Sequence, residues 1–201
     1  MGKIEISENI DQIRKKIKHK LDKRRYEHTI GVSYTAAAMA MRYELSVEQA
    51  RLAGLLHDCA KYMIDSKIKE VCVEHHIEMN ETEQKNAFLL HAKLGAYMAE
   101  HEYGIKDPDI LSAIRWHTTG HPDMTLLEKI IFVADYIEPN RQQAPHLEAI
   151  RHLAFNDLDE ALRVILKDTL DYLDSIHGEI DGMTEETYLY YMKEEGKSVY
   201  E

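Results

Sequence analysis

The residues best suited to chemistry in this chain are the adjacent pair His57 and Asp58, which follow an apolar stretch at positions 50–56. His28 lies upstream of the pair and Asp135 lies downstream. An imidazole and a carboxylate at the end of a buried helix carry a desolvation cost unless both find strong partners, and a bound cation satisfies both. Two imidazoles and two carboxylates form a mixed nitrogen and oxygen set that suits iron, manganese, zinc or magnesium.

The elements that must position these residues are predicted to be helices. A segment from Lys23 to Tyr43 that is apolar over much of its circumference predicts a helix through the core that carries His28 inward. Ser46 is predicted to cap the next helix, which leads into His57. An apolar stripe from Ile6 to Leu21 predicts a first helix, with Ser7 as its cap. Apolar spacing predicts further helices over about 66–76, 84–102, 108–117, 125–138 and 157–177. A last short helix followed by a frayed end is expected within 178–201.

Length and composition favour one all-α domain. The 201 residues are enough for one well-buried core, and four prolines and nine glycines are too few breakers for a many-stranded sheet. We therefore expect a single domain over residues 1–201, with a motif core at about 23–141 and C-terminal helices at about 146–195.

Charge and cysteine usage restrict the partners and the compartment. A net charge of −11 repels a phosphate backbone at long range, so we expect no nucleic-acid partner, and any positive potential for a phosphorylated ligand must be local. Two cysteines without a disulfide framework, no apolar run of signal length near the N-terminus and no bilayer-length span predict a cytoplasmic protein without membrane contact. A homodimer is the base-rate expectation for its assembly.

The order His, His-Asp, Asp resembles the signature of the HD-domain metal-dependent phosphohydrolases. The local sequences RYEHTIGV (25–32), LLHDCAK (55–61) and ADYIEPNR (134–141) are similar to one bacterial branch, the HD-type hydrolases that cut diadenosine tetraphosphate symmetrically. His91 in LHA and His117 in RWHTTG stand where the binuclear members keep two more histidines. All five motifs occur in order, and the resemblance covers the chain from about Arg25 to Arg141.

The resemblance implies a metal centre that holds two divalent ions inside an all-α HD-domain helical bundle. It implies that Asp58 bridges the two ions, and it divides the ligands into His28, His57, Asp58 and Asp135 for one ion and Asp58, His91 and His117 for the other. Iron is the metal that the family implies, with manganese, zinc or magnesium as substitutes. A hydroxide between the ions would attack the middle of the tetraphosphate and release two molecules of ADP.

Four further residues are predicted to contact the substrate. Lys61 follows Asp58 by three positions and is assigned a catalytic role beside it as well as a phosphate contact. Arg25 and Arg141 lie in the family-like motifs and can bind phosphate through two parallel hydrogen bonds. Thr118 follows His117 in a predicted turn that lines the same pocket.

Other functions share this ligand set. Nucleotidases, deoxynucleoside triphosphate hydrolases and alarmone hydrolases of the HD type share the metal motif, and only the sequence that flanks the motif separates them from the preferred group. A mixed-valent di-iron oxygenase would use the same ions, but the cations at 25, 61 and 141 favour a phosphate substrate. A non-catalytic binding domain is disfavoured because the ligand set is complete.

Overall fold

The computed structural model describes residues 10–195 of the chain, and over this range it contains helices and no β-strand. The predicted all-α class is therefore confirmed. Eleven helices follow one another in the described range: α1 (Ile10–Lys20), α2 (Lys23–Arg42), α3 (Val47–Leu56), α4 (Asp65–Glu74), α5 (Glu81–Lys85), α6 (Leu90–His101), α7 (Pro108–Trp116), α8 (Leu126–Ile137), α9 (Leu147–Leu153), α10 (Leu158–Ser175) and α11 (Gly182–Glu195).

The core is built around α2, which packs against both α3 and α8. Helix α7 contacts α3, α6 and α8, so these five helices enclose one continuous apolar interior. Helix α2 is rich in small residues, and Ala36, Met39 and Ala40 on its inner face are fully buried. Small side chains let neighbouring helices approach closely, which brings the polar residues of different helices within reach of one another.

Local capping explains where the central helices begin. Asp22 accepts a hydrogen bond from the backbone N–H of Arg25 at the start of α2, and Ser46 accepts one from Gln49 at the start of α3. The predicted cap at Ser46 is confirmed. Thr125 and Glu128 form a reciprocal capping box at the start of α8. These caps fix the register of the three helices that carry His28, the His57-Asp58 pair and Asp135.

The single helix predicted over 84–102 is wrong, because the chain breaks at Asn86. That residue has extended backbone angles, with φ −116° and ψ 80°, and a short 3₁₀ turn at Ala87–Leu89 separates α5 from α6. Asn80 and Glu83 form a capping box that starts α5 well before position 84. The break gives α6 its own direction and starts it immediately before His91.

The C-terminal part of the chain also differs from the prediction. Helix α9 falls within the range of about 146–195 in which C-terminal helices were expected, although no separate helix was predicted there, and it begins after His146, whose backbone is left-handed with φ 49°. Helix α11 has 14 residues and is longer than the short helix expected. The predicted cap at Ser7 and the frayed end lie outside the described residues. None of the described helices is long and apolar enough to cross a membrane.

Candidate metal centre

The six predicted metal ligands are brought together by five helices. His28 is carried by α2, His57 and Asp58 follow the end of α3, and His117 follows the end of α7. His91 is the second residue of α6, and Asp135 lies in the last turn of α8. The structure thus brings all six residues together, and within three overlapping triplets of them the donor atoms lie within 4.8 Å of one another.

Three of the histidines are oriented by the backbone of their own helices. The Nδ1 of His57 lies 2.7 Å from the carbonyl oxygen of Gly54, and the Nδ1 of His117 lies 2.7 Å from that of Ile114. His91 makes the equivalent contact to the carbonyl oxygen of Phe88. A carbonyl oxygen only accepts hydrogen bonds, so each Nδ1 donates and each Nε2 keeps a lone pair free for a cation.

The carboxylate of Asp58 lies between two pairs of histidines. Its Oδ1 is 3.5 Å from Nε2 of His91 and 3.5 Å from Nε2 of His117. Its Oδ2 is 3.6 Å from Nε2 of His57 and 4.0 Å from Nε2 of His28. One oxygen therefore faces each pair, which is the arrangement that a carboxylate bridging two cations requires.

The donor atoms fit a bound cation better than they fit one another. The Nε2 atoms of His91 and His117 lie 3.1 Å apart, and both carry lone pairs when the Nδ1 atoms donate. His57 Nε2 is buried and has no hydrogen-bond partner among residues 10–195. A buried acceptor without a partner costs free energy, and one divalent cation beside His57 with a second beside His91 and His117 would satisfy these three nitrogens.

His28 is held from the other side of the site by residues of α8 and the segment after it. Its Nε2 lies 3.0 Å from Asp135 Oδ1, and its Nδ1 donates to Glu138 Oε1 at 3.1 Å. Glu138 is buried, and its other oxygen accepts from the backbone N–H of Asn140 at 2.8 Å. A carboxylate that accepts from the outer nitrogen of a histidine fixes the ring and raises its basicity toward a metal.

Glu138 is a candidate site residue, by its contact with His28, that the sequence reasoning did not assign, although it stands inside the quoted motif 134–141. Its place depends on Gly31, because a Cβ atom at Gly31 would overlap Glu138 Oε2. Gly31 lies one turn after His28 on the same helix face, so the missing side chain makes room for the carboxylate that orients His28.

The electrostatics of the site favour the neutral forms of His57 and His91 and the ionised form of Asp58, whereas Asp135 and Glu138 raise the pKa of His28 against the effect of its burial. Burial is the main cause that lowers the pKa of His57 to about 4, and burial together with Lys61 lowers the pKa of His91 well below its usual range. Burial alone would raise the pKa of Asp58, but the facing His57, His117 and Lys61 hold that pKa well below its usual value. Neutral imidazoles and ionised carboxylates are the forms that bind metals.

The predicted substrate cations lie around a cavity of about 780 Å³ that opens on the metal ligands. Lys61 Nζ is 3.1 Å from Asp58 Oδ1, and Arg141 Nη2 is 3.3 Å from Asp135 Oδ1. Arg25 lines the same cavity, as does Arg24, which the sequence reasoning did not select. The cavity is also lined by four carboxylates, those of Asp22, Asp58, Asp135 and Glu138. The four cations balance their charge, so that bound divalent ions would make the local potential positive.

Thr118 and Phe88 both lie beside His91. The Thr118 hydroxyl is 3.4 Å from His91 Nε2 and 3.3 Å from His117 Nε2, so it reaches two of the predicted metal ligands. The prediction that Thr118 lines the same pocket as the cations is wrong, because it lines a separate cavity of about 80 Å³. Phe88 packs its ring 5.2 Å from the ring of His91, and the ammonium of Lys61 lies 5.0 Å from the Phe88 centroid. Phe88, which the sequence reasoning also missed, thus supports two residues of the site.

Comparison with known proteins agrees with this geometry. The family model of the HD domain matches residues 25–140, a range that contains all six ligands. The chain belongs to the HD domain family. A structure of a predicted HD superfamily hydrolase involved in NAD metabolism from Clostridium acetobutylicum superposes with a TM-score of 0.90 at 38% identity, and the match covers 93% of this chain and 98% of that one.

Two curated members of the family are similar over most of their length. The symmetrical bis(5'-nucleosyl)-tetraphosphatase of Bacillus subtilis (strain 168) is 42% identical over 157 residues, which are 78% of this chain and 83% of that protein. The protein of the same name from Halalkalibacterium halodurans is 43% identical over 157 residues, with the same coverage of 78% and 83%.

Proposed function

We propose that this chain is a metal-dependent hydrolase that cleaves diadenosine tetraphosphate symmetrically into two molecules of ADP. The observation that carries the proposal is the position of Asp58, whose two oxygens face two separate pairs of histidines. The choice of substrate is supported by the curated relatives, which are named for this reaction and match the chain over most of its length.

Two divalent ions fit the donor atoms. His28, His57, Asp58 and Asp135 would hold one ion, and Asp58, His91 and His117 would hold the other. When bound, the ions supply Lewis acidity, which lowers the pKa of a coordinated water and neutralises charge on the phosphoryl oxygens. Imidazole and carboxylate ligands accept iron, manganese, zinc or magnesium, and we propose iron.

Lys61 has a catalytic role in the proposal because it touches both Asp58 and the cavity. Its ammonium is within 3.1 Å of Asp58 Oδ1, so a phosphoryl oxygen at the centre would lie beside a fixed positive charge. The side chain is only 17% exposed, which strengthens its interaction with a bound phosphate. No described residue has to act as a separate general base.

Arg25, Arg141 and Thr118 would bind the phosphate chain. Arg141 is held by the carbonyl and the carboxylate of Asp135 at 2.9 and 3.3 Å, while its Nε makes no hydrogen bond among the described residues. Arg25 is less constrained, with a 3.5 Å ion pair to Asp22. The Thr118 hydroxyl lies against the second ion site and can donate to an oxygen there.

The setting proposed for the enzyme follows from smaller observations. Cys59 and Cys72 are buried free thiols, as a reducing cytoplasm allows. The substrate is a small nucleotide, and the acidic net charge disfavours nucleic acid. A homodimer stays a prediction from base rates.

The deciding experiment identifies the products. The apoprotein is reconstituted anaerobically with ferrous iron and incubated with diadenosine tetraphosphate, and the products are separated by ion-exchange chromatography. We expect ADP as the sole product; ATP and AMP in equal amounts would contradict a symmetrical cut. Parallel reactions with mononucleotides, deoxynucleoside triphosphates and alarmones test the related activities, and a dependence on added oxygen would favour an oxygenase instead.

The metal is tested separately. Protein reconstituted with iron, manganese, zinc or magnesium is compared for turnover, and the metal content of protein purified anaerobically is measured by mass spectrometry. We expect two ions per chain and the highest turnover with iron. A stoichiometry of one ion would contradict the bridging role of Asp58.

A further inference from the structure

A symmetrical cut requires the enzyme to bind two nucleosides, whereas a hydrolase of mononucleotides needs to bind only one. This inference rests on the proposed function. When the bond at the middle of a tetraphosphate is broken, a nucleoside diphosphate extends from the metal centre in each of two directions. Both halves are identical, so an enzyme that selects such substrates over mononucleotides needs a binding surface for each nucleoside.

The structure has two open grooves that meet beside the metal centre. The first is the cavity of about 780 Å³ that contains Asp58 and Asp135. The second groove, of about 750 Å³, contains none of the predicted metal ligands but shares Asp22, Arg25 and Lys61 with the first, and Arg25 and Lys61 are the cations among the three. These two cations therefore stand at the junction, where the phosphates of a substrate that occupies both grooves would lie.

The second groove carries apolar side chains that the fold does not bury. Tyr62 is 41% exposed and Ile64 is 73% exposed, and both belong to the segment between α3 and α4 that follows Lys61 directly. Exposed large apolar residues next to a cationic groove are typical of a ligand surface, because a base can stack on an aromatic ring while the cations bind its phosphates.

The ring of Tyr62 has a fixed neighbour. The ammonium of Lys20 lies 5.0 Å from the ring centroid and is itself held by Glu102 Oε2 at 2.6 Å. A cation anchored in this way holds the aromatic ring in place on the wall of the groove. Lys20 lines the groove as well, so the same surface offers a ring and a positive charge.

We propose that the second groove binds the second nucleoside of the dinucleoside tetraphosphate, with Tyr62 as the platform on which its base stacks. The first groove then holds the other nucleoside, and the phosphate chain passes from one groove to the other across Arg25 and Lys61. Tyr62 is in this view a specificity-determining residue, because it contacts a part of the substrate that adenosine tetraphosphate lacks.

The test compares two substrates that share the same phosphate chain. Diadenosine tetraphosphate has two nucleosides and adenosine tetraphosphate has one, so only the first needs both grooves. Tyr62→Ala should lower kcat/KM for diadenosine tetraphosphate about tenfold, since stacking on an aromatic ring is worth about that much per base. It should change kcat/KM for adenosine tetraphosphate less than about twofold.

Two variants control for the fold and for the ring. Tyr62→Phe keeps the ring and should retain the preference of the wild-type protein for two nucleosides. Tyr172→Ala removes a tyrosine that is 60% exposed on α10, outside both grooves, and should leave kcat/KM for both substrates unchanged.

Each other outcome would overturn the proposal. If Tyr62→Ala lowered kcat/KM equally for both substrates, Tyr62 would have a role in structure or in phosphate binding. If the variant and the wild type had equal kcat/KM for diadenosine tetraphosphate, Tyr62 would not belong to the substrate site. A larger loss on adenosine tetraphosphate would contradict the two-groove model directly. If the wild-type protein failed to cut diadenosine tetraphosphate at all, the proposed function would fail first, and the second nucleoside site would lose its premise.

Discussion

The two sides of the metal centre are held in place in different ways. On the inner side, His57, His91 and His117 are almost fully buried, and each ring bonds through Nδ1 to a carbonyl oxygen of its own helix or turn. On the outer side, His28 and Asp135 have side chains that are 21% and 24% exposed. These two are positioned by the side chains of other residues.

This difference shows which ligand side chains are oriented by local backbone structure alone. Each of these carbonyls lies three residues back in the chain, in α3 for His57, in α7 for His117 and in the 3₁₀ turn before α6 for His91. The inner rings are therefore oriented as soon as these local elements are folded. The outer ligands depend on Glu138 and Arg141, which lie beyond the end of α8 and face the cavity. Mutations on the outer side should therefore lower the metal affinity by amounts that differ from one substitution to the next.

The largest effect is expected where the two sides meet. Asp58→Ala removes the carboxylate that faces both pairs of histidines, so the variant should bind fewer than two ions per chain. Its kcat should fall by more than about a thousandfold, because the residues of such a centre act as a unit. Metal content by mass spectrometry and turnover by chromatography measure the two effects.

A buried carboxylate elsewhere provides the control for Asp58→Ala. Asp168 is buried on α10, where it accepts from Nδ1 of His146 at 2.9 Å, and it lines neither groove. Asp168→Asn should keep two ions and full turnover even if the free energy of unfolding falls. Circular dichroism should show native helical content for Asp58→Ala; retained activity in that variant would refute the bridging role.

The ligand set could be predicted from sequence because its members carry local signals. An adjacent His-Asp pair after an apolar helix, with further histidines in family-like motifs, identified all six residues that the structure brings together. Glu138 and Gly31 stand inside two of the same motifs but were not assigned. Their roles depend on the contact between Glu138 and His28, which are 110 residues apart, and no local pattern encodes that distance.

The fold was predictable to a similar degree. Long apolar stripes predicted α2, α3, α7, α8 and α10, whose packing buries them over several turns. The break at Asn86 was missed because helical spacing continues across it, although the capping pair Asn80 and Glu83 was a readable signal. Helix α9 has seven residues, which is too short for a periodic pattern to be distinguished from a loop.

A smaller effect, confined to the outer side, is expected from a single methyl group. Gly31→Ala places a Cβ where Glu138 Oε2 now lies, so the carboxylate must leave Nδ1 of His28. Loss of such an outer-shell partner lowers metal affinity by about 10- to 100-fold. Titration of the apoprotein with manganese, followed by calorimetry, measures the change.

The inner side offers a matched substitution. A Cβ at Gly95 on α6 would lie 3.4 Å from the carbonyl oxygen of His57, which is ordinary contact, so Gly95→Ala should keep wild-type metal affinity. Both substitutions replace a helical glycine and gain up to about 1 kcal/mol of helix propensity, so a difference in metal affinity between them cannot come from helix propensity. Equal affinities for the two variants would show that Glu138 does not orient His28.

The smallest effect should come from a change that keeps the shape of Glu138. Glu138→Gln retains one oxygen for Nδ1 of His28, but its amide nitrogen would face the N–H groups of Asn140, which now donate to Glu138 Oε2. The neutral acceptor is weaker than a carboxylate, so manganese affinity should fall about tenfold, at the lower end of such effects. Glu128→Gln is the control, because Glu128 is buried at the start of α8, the helix after whose end Glu138 lies, and accepts from the backbone N–H of Thr125. That variant should lose stability in urea and keep its affinity for manganese, whereas a loss of affinity in both would mean that helix α8 as a whole, rather than the contact with His28, supports the outer side.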